Sequence, residues 1–255
     1  MEFGHWLVVI VCVALCWRAL RWLWNSFLSG CNTHFRPTTF RTPPLANARA
    51  ESQQQLAPAA PRSRDPTGAP AWIDDLPRRF VVIDVETTGL DATRHQITQI
   101  AARRISSFSF DAGKFQCTYD EFNSYCLLRP RTRIPKHIQE LTGITPALLK
   151  SHGQPLEVAI RDFVAFVGGD TVVAHNAPFD LSFLTEAAAG CGIAFAPPSR
   201  CTLAMARSRL PGRRSYSLSA LCAAMGLETT GAHDARRDVE LALSLFVTLS
   251  ALPER

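Results

Sequence analysis

The chain has 255 residues, enough for one substantial domain plus an appendage, and a formal net charge of +5. Seven Arg against three acids place +4 of that charge in residues 1–73, so the remainder is near neutral, which excludes a histone-like binder that grips nucleic acid by bulk charge. Eight cysteines are scattered with no Cys-x-x-Cys pair, which excludes a zinc-finger array and a disulfide framework and points to a reducing compartment.

Trp6–Trp17 is an unbroken apolar run of twelve residues, short of the ~20 needed to span a bilayer. Extension past Arg18 and Arg21 to Trp24 reaches about that length. The two Arg can snorkel, and Trp at both ends suits an interfacial belt. No Lys or Arg precedes the run, whereas Arg18, Arg21, Arg36, Arg41 and Arg49 follow it. The positive-inside rule then puts the following chain in the cytoplasm. A membrane anchor over residues 1–28, with 6–24 in the membrane, is the leading expectation. A surface-lying helix or an extension from a misassigned start comes second, and a cleaved leader, whose basic part should come first, third. Residues 29–76 are rich in Pro, Ala and Arg without hydrophobic periodicity, which predicts a flexible linker.

From residue 77 the texture changes to that of an α/β domain ending near 252. Phe80–Ile83 is a short β-branched run, the mark of a central buried strand. Strands are predicted over Ile97–Ile105 and Phe122–Leu128, then a short helix over Ile138–Leu141 and a longer amphipathic one over Leu156–Val167. Thr171–Ala174 reads as another buried strand, followed by helices over Pro178–Ala189, Leu203–Arg207, Leu218–Met225 and Asp234–Leu249. Strands interleaved with covering helices indicate an α/β sandwich.

Three separated segments carry the chemistry. Asp84 and Glu86 are two residues apart at a strand end and so point to one side. Asp180 falls in the first turn of a helix opened by Asn176-Ala-Pro178, where the helix dipole favours negative charge. Asp238 shares its helix face with Ala242, Leu245 and Leu249, and a charge on a core-facing side is costly unless paired or metal-bound. Asp234 reads as a helix cap. His233 precedes that helix, and imidazole is the side chain that exchanges protons near neutrality. Four carboxylates sharing one cavity repel at roughly 1–4 kcal/mol per close pair, a conflict that divalent cations resolve.

Together these segments resemble the DEDDh, or DnaQ-like, exonuclease family over roughly residues 78–250. The matching motifs are Asp84-Val-Glu-Thr-Thr-Gly89, His175-Asn-Ala-Pro-Phe-Asp180 and His233-Asp-Ala-Arg-Arg-Asp238. The resemblance implies a ribonuclease H-like fold: a mixed five-stranded sheet, second strand antiparallel, with helices on both faces. It implies two Mg²⁺ or Mn²⁺ ions on Asp84, Glu86, Asp180 and Asp238, with His233 as general base. It also implies that Thr87, Thr88 and Leu90 cradle the 3′-terminal nucleotide, Leu90 against the base, with Leu141, Asn176 and Phe179 lining the same cleft. For Leu90, Leu141 and Phe179, core packing is the alternative. His175 is read as fastening a strand end, and Arg213–Leu218 as a surface loop near the incoming strand. Cys201 stands where many relatives have Asp.

The leading expectation is a metal-dependent 3′→5′ exonuclease acting on nucleic-acid 3′ ends and releasing nucleoside 5′-monophosphates, single-stranded DNA first. An RNA-trimming enzyme of the same chemistry is the nearest alternative. A non-catalytic, membrane-tethered module that binds nucleic-acid ends is the third, though none of the five family residues is lost. No polymerase-binding tail is expected after the last helix.

Overall fold

The computed structural model describes residues 71–253 except 112–113, 228 and 230–232. The anchor expected over residues 1–28, and the linker as far as residue 70, lie outside the described residues. Among the described residues no helix is long and apolar enough to cross a membrane.

Strand β1 (Phe80–Thr87) is the central strand of the sheet. Its alternate side chains feed two separate cores. Phe80 and Val82 point into one with Phe246 and Val239, while Val81, Ile83 and Val85 point into the other with Ile160 and Phe163. A strand buried on both faces needs the continuous apolar run seen in the sequence. Strands β2 (Ile97–Asp111), β3 (Lys114–Tyr125), β4 (Thr171–Ala174) and β5 (Ser199–Cys201) complete the sheet in the order β3-β2-β1-β4-β5. β2 is antiparallel to β1 and β3, while β1, β4 and β5 run parallel. Helices α3 (Leu156–Val167) and α4 (Ala177–Gly190) cover one face, and α7 (Ala235–Ser250) covers the other. Behind α7, α5 (Thr202–Arg209) and α6 (Leu218–Ala224) form a further apolar cluster around Leu221 and Leu245. Helices α1 (Lys136–Thr142) and α2 (Pro146–His152) flank a small cluster of Ile134, Ile144 and Leu149. The five-stranded mixed sheet with helices on both faces is the ribonuclease H-like arrangement.

Several boundaries differ from those read in the sequence. The folded part starts before residue 77: a 3-10 turn at Ala71–Asp75 buries Trp72, and Leu76 follows it into the core. Five residues are too few for a periodic signal. Strands β2 and β3 form a hairpin reaching well beyond Ile105, because Phe108 stacks on Phe115 at 5.6 Å and Trp72 meets Phe110 edge-on at 5.5 Å. β3 ends at Tyr125 rather than Leu128. Three-residue β5 carries no apolar run and is specified only by its pairing with β4. Helix α2, capped by the Thr145 hydroxyl, was not anticipated. The described cysteines are all free thiols.

Candidate active site

The α7-facing row of β1 reads Phe80, Val82, Asp84, Glu86, since alternate residues share a side. It changes from apolar to acidic at the end of the sheet where α7 begins. α7 is held there by Val239, Ala242 and Phe246, packed in the same cluster as Phe80 and Val82. That packing delivers Asp238, in the first turn of α7, to the acidic end of the row. One carboxylate oxygen from each of Asp84, Glu86 and Asp238 lies within 4.8 Å of the other two, and all three residues are partly exposed. Asp180 stands outside this trio and is only 2 % exposed. β4 pairs with β1 only as far as Val82, and the Val85 N–H beyond it donates to Asp180 Oδ1 at 3.1 Å. Asn176 enters α4 through a left-handed conformation, φ 69°, which asparagine tolerates.

The electrostatics follow from that crowding. Burial pushes the Asp84 carboxyl well above its usual range, and the charges of Asp180, Glu86 and Asp238 add to the rise. Glu86 is pushed up to about 8 by burial and then by Asp238 and Asp180. Asp180 is likewise raised to about 8 by burial, against the lowering effect of the Val85 N–H. Asp238 is raised by burial, with the His233 N–H opposing. Among the described residues no Lys or Arg pairs with Asp84, Glu86 or Asp180. Hard oxygen donors at this spacing, lacking cationic partners, suit a hard divalent cation. His233 is exposed on the turn before α7, at φ 75°, and its N–H points to both Asp238 oxygens at 3.3 and 3.4 Å.

A model of the family described as "Exonuclease" matches residues 81–246. The chain belongs to the DnaQ-like exonuclease family. The DNA polymerase III epsilon subunit of Aquifex aeolicus is 36% identical over 172 residues, covering 67% of this chain and 79% of that protein. The epsilon subunit of Rickettsia typhi is 33% identical over 181 residues, 68% of this chain and 74% of that one. The PolC-type polymerase III of Bacillus subtilis is 33% identical, but the match spans only 11% of its length. In fold, the chain is similar to Escherichia coli ExoI solved with single-stranded DNA, with a TM-score of 0.58 at 20% identity over 68% of this chain and 40% of that one. The protein is a 3′→5′ exonuclease of a divalent-metal-dependent family, and its acidic cluster has the donor set that could hold such an ion.

In this exonuclease the remaining residues singled out from the sequence fall into two groups. Leu90 is 86% exposed and Leu141 49% exposed, so neither packs in the core. Asn176 is also exposed. Phe179, in contrast, is half-buried against Phe183 at 5.1 Å between rings. Thr87 and Thr88 are buried, and their hydroxyls are occupied internally. Thr87 Oγ1 donates to Gly89 O at 2.6 Å, and Thr88 Oγ1 accepts from Gln96 N–H at 3.0 Å. His175 fastens the end of β4: Nε2 donates to Tyr216 O and Nδ1 meets Thr202 Oγ1, each at 3.0 Å. Burial lowers its pKa, in keeping with a neutral ring that bridges one carbonyl and one hydroxyl. The Asp234 side chain caps α7 by accepting from Arg236 N–H at 3.0 Å.

Two supporting groups escaped the sequence reading. A Cβ on Gly89 would lie 2.4 Å from the His95 ring, so this ring sets the path of the Thr87–Leu90 turn. A solitary His ahead of a strand gives no sign of such a contact. Arg103, on β2, bonds Glu121 on β3 at 2.7 Å and Glu240 on α7 at 2.6 Å, tying the helix that bears Asp238 to the sheet. Its signal was available: an Arg inside a buried strand needs partners.

Proposed function

We propose that this exonuclease removes nucleoside 5′-monophosphates one at a time from the 3′ end of single-stranded DNA, using two Mg²⁺ or Mn²⁺ ions. The observation that carries the reading is the convergence of Asp84, Glu86 and Asp238 oxygens within 4.8 Å, with Asp180 in electrostatic reach. These four carboxylates would hold the ions, which supply Lewis acidity to the phosphoryl oxygens and lower the pKa of a bound water from about 15.7 toward neutrality. His233, exposed and tethered to Asp238 through its own backbone, accepts the proton as water attacks the terminal phosphorus. The bond from phosphorus to the departing 3′ oxygen breaks, leaving a 3′-hydroxyl on the shortened strand and a free 5′-monophosphate. The protruding Leu90 and Leu141 offer apolar faces to the terminal base and sugar, where stacking tolerates any sequence. The buried Thr87 and Thr88 hold the turn, so their contribution to substrate is through the backbone they shape.

DNA is favoured because the relatives matched are subunits of DNA polymerase III and the similar solved enzyme holds single-stranded DNA. The complementary proposal for the N-terminal run is that residues 6–24 anchor the enzyme to a membrane with the catalytic domain on the cytoplasmic side. Fractionation of the full-length chain tests that separately, and recovery in the soluble fraction would refute it.

The test of function is degradation of matched 5′-labelled DNA and RNA oligonucleotides by the full chain, with Mg²⁺, with Mn²⁺ and with chelator. A ladder shortening from the 3′ end, metal-dependent and at least about tenfold faster on DNA, is the expected result. Faster cleavage of RNA would reassign the enzyme to RNA trimming. Absence of metal-dependent cleavage of either would overturn the reading.

A further inference from the structure

The bond from His175 to the Tyr216 carbonyl leads away from the carboxylates to a loop whose charges the catalytic reading does not use. Pro211–Ser217 connects α5 to α6 and carries Arg213 and Arg214, both exposed. Tyr216 braces it: its hydroxyl donates to Leu210 O at 2.8 Å and accepts from Arg213 N–H at 3.3 Å. Ser217 closes the far end by capping α6 at Ala220 N–H. Arg207, on the last turn of α5, hangs its guanidinium 6.0 Å from the Tyr216 ring. Three arginines therefore lie on or beside one tyrosine-braced loop, and among the described residues none of them forms an ion pair.

The position of the loop gives the cluster its meaning. β4 runs parallel to β1, so the end of β4 lies at the same end of the sheet as Asp84 and Glu86. His175 follows β4 directly and holds the Tyr216 carbonyl at 3.0 Å, and Asp180 sits one helical turn further on. The loop is thus pinned beside the catalytic end, not left as a solvated excursion. Unpaired guanidinium groups carried on a braced loop bind phosphate oxygens in fork geometry. Resting on the exonuclease reading above, we propose that Arg213 and Arg214, assisted by Arg207, grip the backbone phosphates of the strand on the 5′ side of the bond being cut. The direction follows from the chemistry. The 3′ terminus lies at the carboxylates, so every phosphate beyond the scissile one belongs to nucleotides on the 5′ side. The near-neutral domain then holds a polyanion through a local rim instead of overall charge.

The test measures binding and hydrolysis separately. Fluorescence anisotropy of a 5′-labelled single-stranded DNA oligonucleotide follows its affinity for the full chain as salt is raised. Each phosphate contact contributes about 0.7 to the slope of log affinity against log salt. The double substitution Arg213→Ala/Arg214→Ala should therefore flatten the slope by about 1.4 and weaken binding about tenfold at low salt. Arg161→Ala, which removes an exposed arginine already paired with Glu157, should keep the wild-type slope. In hydrolysis, the rate on the oligonucleotide relative to that on the p-nitrophenyl ester of thymidine 5′-monophosphate, which has no upstream phosphates, should fall at least about tenfold. An unchanged slope, or an equal loss on both substrates, would overturn the proposal. Because binding is read without cleavage, a protein that binds with the altered slope but never hydrolyses would uphold the loop's role while refuting the catalytic reading.

Discussion

Each acidic side chain is uncomfortable alone and useful in company. Burial raises all four carboxyls and repulsion from the neighbouring acids adds to the rise at Asp84 and Glu86, so the protein without metal holds strained charge in a recess. Asp84→Asn should lower the cleavage rate by at least about a thousandfold, the scale of losing electrostatic stabilisation at the reacting group, while the melting temperature in chelator stays at or above that of the wild type. A large loss of stability instead would make Asp84 structural. His233→Ala should cost about a hundredfold or more in kcat with KM nearly unchanged, the signature of lost proton transfer. Leu90→Ala should raise KM several-fold yet leave stability within about 0.5 kcal/mol, since an exposed side chain contributes little to folding. An unaltered KM there would remove Leu90 from the substrate cleft.

The elements matter chiefly through what they aim. The turn after β1 is shaped by the His95 ring pressed on Gly89, so Gly89→Ala should displace the turn and cut activity about tenfold or more. Replacing His95 with Ser in the same chain should recover much of that loss. Failure of the double variant to recover would show that the two residues are not coupled. α7 aims Asp238 through Val239 in the core and through the Arg103–Glu240 bond. Arg103→Ala leaves Glu240 unpartnered by the sheet and should destabilise the domain by about 3 kcal/mol, read as a lowered denaturation midpoint. The central strand and the two long helices were legible because burial leaves a local mark, a β-branched run or a 3.6-residue period, whereas the candidate site residues stand out through three separated motifs taken together. β5 was not legible, because Ser199, Arg200 and Cys201 become a strand only when β4 offers a free edge. The long hairpin was missed for a related reason, since Phe108, Phe110 and Phe115 extend it by packing on Trp72, a partner far away in sequence. Gly89 and His95 meet only in three dimensions.

For the whole molecule, the raised carboxyls link stability to pH and to metal. A carboxyl whose folded pKa is raised contributes stability that is complete below its unfolded pKa and is lost as pH rises through the folded value. For Glu86 that window runs from 4.5 to about 8. In chelator, the wild type should therefore lose melting temperature relative to Glu86→Gln across this range, and a constant difference would refute the shift. Metal should reverse the loss. A divalent ion at about 100 times its Kd adds about 2.7 kcal/mol, or roughly 5–10 °C for a domain of this size. The most direct measurement of the central claim is a count of bound Mn²⁺ on the full chain near pH 8, by electron paramagnetic resonance, for the wild type and for Asp84→Asn. Two ions per wild-type chain, with binding weakened at least about tenfold by the substitution, is the result this structure leads us to expect. Binding that is absent, or indifferent to the loss of Asp84, would contradict it.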